Sequence, residues 1–363
     1  MILRSLALQH FRSYENTTFH FSPNTTVIVG PNTAGKSNLI EAIYLLSTGK
    51  SFKAERDTQM ISVGESLGRA KALISKDEEK DTLEVTVSET PGSLSSRGYS
   101  KRFVVNGVPK RRIDFAGILP SLLFVPSDLD IIVTSPSQRR NFLDTVLEMT
   151  DRQYRQATTS YEKALRHRNA LLDVVQETGI RNDEQFAYWD HLLIENGNYI
   201  TDKREEIITY MNAGEKTLLP FTVTYDKSVI SKERLEQYKG PEIGAGVTLV
   251  GPHRDDFFIE IKDERGNGQN VKYFGSRGQQ RLVVLQLKLL QLAYIEQTLG
   301  ERPLLLLDDI FSELDEKHIA AVLSLVTKQQ TILTTTHKEF IGSDIGEEAK
   351  IIELDTQTNP SVL

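Results

Sequence analysis

Residues 28–39 read IVGPNTAGKSNL, and this stretch decides the fold. Gly30 is followed by four residues and then by Gly35-Lys36-Ser37, the spacing of a loop that wraps a nucleotide triphosphate. Upstream, TTVIVG is a short β-branched run of the kind that forms a buried parallel strand. Downstream, KSNLIEAIYLLSTG places Leu39, Ile40, Ile43, Tyr44 and Leu46 at helical spacing and stops at Gly49. Strand, glycine loop and helix is the context that the motif requires. It predicts that Gly30, Pro31, Asn32, Thr33, Ala34, Gly35, Lys36, Ser37 and Asn38 line the phosphates of ATP, with loop amides and the helix amino end pointing at them. Lys36 then reaches the β and γ oxygens, and the Ser37 hydroxyl ligates Mg²⁺.

Composition sets the frame. A chain of 363 residues exceeds one small core and suits two or three lobes. With 39% hydrophobic and 26% charged residues it reads as a water-soluble globular protein. No apolar run approaches membrane-spanning length, and the amino end MILRSLALQHF lacks a signal-peptide core, so a cytoplasmic protein without a membrane partner is expected. The absence of cysteine excludes disulfides, thiolate metal sites and thiol chemistry, and fits a reducing compartment. A net charge of −7 argues against a uniformly basic coat, so any nucleic-acid contact must use a local basic face.

Along the chain, LRSLALQHF, ENTTFHFS, GRAKALISK and DTLEVTVSE read as short strands. In KRFVVNGVPKR the Asn106-Gly107 pair predicts a tight hairpin turn. Between Ser137 and Leu219 there is no proline and helical patterns dominate, with breaks near Gly179, Gly197 and Gly214. Strand character returns at FTVTY, GVTLVG and DDFFIEIKD, and a helix–strand–helix–strand series runs from Ser276 to about Leu354.

A phosphate loop needs an acidic partner, and RPLLLLDDIFSELD supplies one: four leucines form a buried strand that ends on Asp308-Asp309. Asp308 is expected to hold Mg²⁺ through its waters and Asp309 to polarise the attacking water. Lys36 and Asp308 must meet around one metal although most of the chain separates them. The ATPase lobe is therefore split in sequence: residues 1–125, an inserted helical lobe at 126–245, and residues 246–363.

Ahead of the acidic strand, Leu282, Leu285, Leu289 and Leu292 mark an amphipathic helix. Its start, Ser276-Arg277-Gly278-Gln279, resembles the signature motif of ABC-type ATPases. Ser276 reads as an N-cap that leaves a helix amino end to face an anion. In that superfamily the anion is the γ-phosphate bound by the opposite subunit, which would make ATP the glue of a homodimer. SELD at 312–315 looks like the superfamily's loop across the dimer seam, and His337 resembles its switch histidine. Gln59 is a poor match to its Mg²⁺-sensing glutamine.

The segments LQHFRSYE, GPNTAGKSNLIEAIYLLSTGKSF, RRNFLD, VGPHRDD, SRGQQR and DDIFSELD fall in the order found in the RecF family of bacterial DNA replication and repair proteins. That resemblance spans the chain. It implies an α/β fold, an ABC-type P-loop ATPase lobe related to Rad50 and SMC heads, with mixed sheets and an inserted, mostly α-helical lobe. It further implies an ATP-dependent dimer that clamps gapped or double-stranded DNA without reading sequence, and that works with RecO and RecR to load RecA. Arg12, in the family's FR segment, is implied to contact phosphate within its own subunit. No role for VGPHRDD follows from its residues.

The sequence offers its own basic segment. No acid lies between Glu89 and Asp114, whereas Arg97, Lys101, Arg102, Lys110, Arg111 and Arg112 are cationic, with Arg139-Arg140 and Lys163 to Arg168 adding charge further on. Contacts of this kind would position a phosphate backbone and make binding steeply salt-dependent. Three other classes of protein fit the sequence less well. A transporter subunit needs a shorter gap between phosphate loop and signature, an SMC-type tether needs long arms, and an ATPase-coupled nuclease needs a carboxylate metal domain that the sequence lacks.

Overall fold

The computed structural model describes residues 1–77, 79–89, 99–263, 265–310, 328–336 and 349–355. In chain order its first elements are β1 (Ile2–Phe11), β2 (Tyr14–His20), β3 (Thr25–Val29), α1 (Lys36–Thr48), β4 (Leu67–Lys76), β5 (Glu79–Glu89), β6 (Tyr99–Val105), β7 (Val108–Lys110), α2 (Arg112–Phe115) and β8 (Ser121–Phe124). Then come α3 (Asp130–Val133), α4 (Pro136–Thr150), α5 (Arg152–Thr178), α6 (Asp183–Ala213), β9 (Thr222–Asp226), α7 (Lys232–Gln237) and α8 (Lys239–Ala245). The last are β10 (Asp256–Lys262), β11 (Gly268–Asn270), α9 (Val271–Phe274), α10 (Arg277–Leu299), β12 (Leu304–Asp308), β13 (Thr331–Thr335) and β14 (Lys350–Glu353).

The chain forms two compact units, one from 1–128 with 295–363 and the other from 129–294. The first holds two sheets. One is antiparallel, in the order β2-β1-β4-β5-β6-β7, and the other is parallel, in the order β14-β3-β13-β12-β8. Helix α1 packs against strands of both, and its apolar residues join both sheets in one core with Leu6, Leu8, Phe11, Leu83, Leu306 and Ile332. This explains why KSNLIEAIYLL is apolar on nearly every side, as a helix enclosed by protein must be. Gly49 ends it in the left-handed region (φ 73°) and donates its N–H to Leu45 O at 2.8 Å. At the β6–β7 turn Asn106 and Gly107 both take positive φ (51° and 78°), as the sequence predicts.

Strands β3, β12 and β13 are buried at every position, which fits their unbroken apolar runs. Their registers bring Asp308 beside Thr334 and Thr335 beside Val29, so all three strands end at one edge. In an open parallel sheet that carboxyl edge is where ligands bind. No described helix is long and apolar enough to cross a membrane.

The second unit pairs the α5–α6 hairpin with a small sheet in the order β11-β10-β9. It reaches Tyr294, well past the expected limit of the helical lobe at 245. The reason is pairing between segments far apart in sequence: β10 joins β9 edge to edge, and α4 packs on β10. Helix α10 is tied to the same unit where Gln286 accepts the Leu218 amide at 3.0 Å and Gln291 donates to Phe142 O at 2.8 Å, so the boundary between units falls inside α10. GVTLVG, read as a strand, forms an irregular loop instead. Thr248 gives both its amide and its hydroxyl to Asn169 Oδ1, and Leu249 donates its amide to Glu242 Oε1 at 2.9 Å.

VGPHRDD gains a role here, as the hub of a buried polar network. Arg204, 4% exposed, grips Asp144 through two bonds of 2.9 Å and also donates to Pro252 O (2.7 Å) and Asp255 Oδ2 (3.0 Å). Asp255 further accepts the Tyr225 hydroxyl and the Ser228 amide, while Arg139 holds Asp256 at 2.6 and 2.9 Å. Gly251 sits at φ 120°, and a Cβ there would come within 2.3 Å of the Tyr161 hydroxyl, so only glycine fits. His253 Nε2 faces the Thr248 carbonyl, which can only accept, so that nitrogen carries the proton and Nδ1 accepts from Tyr161. Burial lowers the His253 pKa to about 4 and keeps the ring neutral near pH 7.

Candidate nucleotide site

The loop between β3 and α1 is shaped by its close neighbours. Gly35 has φ 92°, and a Cβ at that position would meet Ser13 Oγ and the Tyr14 hydroxyl at 2.9 Å each. Both the backbone and the space demand glycine. At Gly30 a Cβ would collide with Leu354 O at 2.6 Å. Thr33 also takes positive φ (74°), the kind of local strain that tends to collect at binding loops.

Lys36 is 7% exposed and donates to Gly30 O at 2.7 Å and Pro31 O at 2.9 Å, folding back along its own loop. Burial lowers its pKa, while the Asp309 and Asp308 carboxylates push it back up. Ser37 Oγ donates to Asp308 Oδ1 at 3.0 Å across 271 positions of sequence. The separation between the two halves of the predicted site is thereby closed. Mg²⁺ prefers hard oxygen donors and keeps several waters, so one hydroxyl and one carboxylate beside a triphosphate are a sufficient protein share. Ser37 and Asp308 fit that requirement.

One contributor escaped the sequence reading. Thr334 Oγ1 donates to Asp308 Oδ1 at 2.7 Å and accepts the Asp309 N–H at 3.0 Å. Asp309 sits at φ 50°, a costly conformation for a residue with a side chain, and the Thr334 bond helps hold it there. A threonine run inside a wholly buried strand was the available signal.

Arg12 is bound to protein. Its Nε and Nη2 grip the Glu41 carboxylate at 2.8 and 2.7 Å, and Glu41 is fully buried. The rest of the turn follows it onto α1: Asn38 Nδ2 donates to Ser13 Oγ at 3.0 Å, and the Tyr14 hydroxyl donates to Gly35 O at 3.1 Å. Burial pushes the Tyr14 phenol pKa up, which keeps it a donor. Gln59 accepts the Glu55 amide at 2.9 Å and so serves its own turn.

In the other unit Ser276 caps α10 as expected. Its Oγ accepts the Gln279 amide at 3.2 Å, while Gln279 Oε1 accepts the Ser276 amide at 2.8 Å, a reciprocal capping box. That uses one of the orphan amides, while Arg277 and Gly278 stand exposed at the helix start. His337 and Ser312 to Asp315 lie outside the described residues.

The basic segment is divided by strand alternation, which corrects its reading as one cationic face. Lys101 shares the inward face of β6 with Phe103, pairs with Asp57 at 2.6 Å and donates to Gly49 O at 3.2 Å. Burial lowers its pKa, and Asp57 opposes the shift. Arg112 is half-buried and donates to Thr48 O at 3.3 Å. These two cations thus satisfy the carbonyl end of α1, where positive charge is favoured. Arg102, Lys110 and Arg111 remain exposed, with Arg111 beside Asp114 at 3.0 Å, and Arg97 lies outside the described residues. On the helical unit, Arg139 and Arg168 are also internal. Arg168, 1% exposed, pairs with Asp190 and Glu242.

A phosphate loop closing on an acidic strand with one strand between them, beside an antiparallel sheet that shares its core, defines an ABC-type ATPase head. A model of the RecF/RecN/SMC N-terminal domain matches residues 2–358. The chain belongs to the RecF family. The DNA replication and repair protein RecF of Moorella thermoacetica is 35% identical over 99% of this chain and 96% of its own length. That of Lachnoclostridium phytofermentans is 34% identical over 95% and 96%. Among solved structures, the recombination mediator protein RecF-ATPrS of the RecFOR pathway superposes with a TM-score of 0.84 at 29% identity over 97% of both chains. The corresponding RecF-ATP structure gives 0.83 at 30% over 93% of this chain and 92% of that one.

Proposed function

We propose that this protein is a cytoplasmic, ATP-dependent DNA-binding switch of recombinational repair and replication restart. Two copies close around ATP and clamp gapped or double-stranded DNA without reading sequence. With RecO- and RecR-type partners the clamp promotes RecA loading, and slow, DNA-stimulated hydrolysis to ADP and phosphate releases it. The observation that carries this reading is the Ser37–Asp308 contact, which joins a phosphate loop to an acidic strand at one sheet edge. The names of the relatives, all DNA replication and repair proteins, support the biological setting.

In this reading Lys36 exchanges its two carbonyl partners for β and γ oxygens, a trade of neutral acceptors for charged ones that favours binding. Ser37 and Asp308 hold Mg²⁺, which neutralises charge on the phosphates. Asp309 accepts a proton from, or orients, the attacking water, and His337 is given the role of the switch histidine that the resemblance implies. Ser276, Arg277, Gly278 and Gln279 of a second copy cap the same phosphate with a helix amino end.

A gel shift of a gapped duplex tests it. The wild type should bind several-fold tighter with ATP than with ADP, and Lys36→Ala should lose that difference. Equal binding with either nucleotide would contradict the proposal.

A further inference from the structure

Glu41 is a fully buried carboxylate on the helix that follows the phosphate loop, and no step above uses it. Arg12 grips it through two nitrogens, and the Ser51 hydroxyl donates to its Oε1 at 2.5 Å. An isolated carboxylate buried this deeply would be strongly destabilising, so the pair forms as a unit. Two features show that the pairing is built around the arginine. The Arg12 backbone is held at φ 54°, outside the usual region, by its N–H to Met60 O at 2.9 Å and by the Ser62 hydroxyl to its carbonyl at 2.8 Å. The carboxylate engages Nε and Nη2, which leaves Nη1 for an acceptor from outside. The neighbouring Ser13 packs against Gly35 itself, so the turn that carries Arg12 touches the phosphate loop.

We propose that Glu41 is a positioning residue for the nucleotide: it fixes the Arg12 guanidinium so that Nη1 meets a phosphate oxygen. Through Ser51 it ties the segment after α1 to the same carboxylate. The inference rests on the nucleotide site proposed above.

The test is a double-mutant cycle on the full chain with Arg12→Ala, Glu41→Gln and both changes, reading affinity for a non-hydrolysable ATP analogue with Mg²⁺ by calorimetry and melting temperature by circular dichroism. Glu41→Gln should weaken binding about tenfold, the usual scale for losing a charge-assisted hydrogen bond. In the Arg12→Ala background it should change affinity by less than about twofold. Equal losses in both backgrounds, or a folded Glu41→Gln protein with unaltered affinity, would overturn the proposal, because a merely structural glutamate acts regardless of Arg12. Should Glu41→Gln not fold, Ser51→Ala decides: weaker binding only when Arg12 is present supports the role, and unchanged binding refutes it. Lys36→Ala separates the two layers. If it binds the analogue as tightly as wild type, the nucleotide site is wrong and this role falls with it; if it loses binding, the cycle judges Glu41 alone.

Discussion

Thr334 touches both members of the acidic pair: its hydroxyl donates to the Asp308 carboxylate at 2.7 Å and accepts the Asp309 amide at 3.0 Å. One buried side chain thus sets the direction of one carboxylate and the backbone of the next. Thr334→Val keeps the shape and removes both bonds. ATPase kcat should fall about tenfold or more, with nucleotide affinity changed less than about threefold, since the lost bonds are worth on the order of 1–3 kcal/mol and act on hydrolysis. Thr334→Ser should recover most of the rate. Steady-state kinetics on the three proteins check this.

Asp309→Asn removes the carboxylate assigned to the attacking water and leaves Ser37 and Asp308 in place. ATP should still bind, and the ATP-bound dimer should persist because hydrolysis no longer dissolves it. Sedimentation of the mutant with ATP, compared with wild type over the same hours, reads this out.

Among the described cations of the 99–112 segment, Arg102, Lys110 and Arg111 are exposed, whereas Lys101 and Arg112 serve the end of α1, and we propose the exposed three as contacts to a DNA backbone. Replacing the three by alanine should weaken duplex binding and reduce its dependence on salt concentration, without a change in ATP affinity. Lys101→Ala should act differently. It should lower the melting temperature by a few degrees, since it breaks a half-buried pair with Asp57.

His253 supplies a pH signature. Its folded pKa of about 4 lies below the ordinary value of 6.5, so the unfolded chain takes up a proton first. Its contribution is constant above about pH 6.5, and stability falls as pH drops from there toward 4, by up to about 1.4 kcal/mol per pH unit. Urea unfolding at pH 7, 6 and 5 should show a steeper loss for wild type than for His253→Gln, with the difference confined to that window.

Much of the nucleotide site is legible in the sequence because its parts are local. A glycine loop can follow a β-branched strand and precede a helix in few ways, and four leucines before two aspartates mark a buried strand with an acidic end. The residues that escaped depend on packing between distant segments. Glu41 reads as an ordinary surface acid until α1 is seen enclosed on all sides, though its place among apolar neighbours hinted at that. The basic segment misled because charge was counted along the chain and not by face: Lys101, Phe103 and Val105 alternate with Arg102 and Val104, so one cation in the run had to point inward. The second unit extends past 245 because β10 pairs with β9 and α10 bonds back to Phe142 and Leu218, contacts that no local pattern announces.

We propose that one nucleotide is held by the Lys36 loop of one copy and capped by the Ser276 helix of another. Sedimentation velocity with Mg²⁺ and either ATP or ADP tests it most directly, on wild type and on Ser276→Arg. Wild type should form a dimer with ATP and not with ADP, and Ser276→Arg should bind ATP normally yet stay monomeric. Wild type that sediments identically with both nucleotides, or Ser276→Arg that still dimerises with ATP, would contradict it.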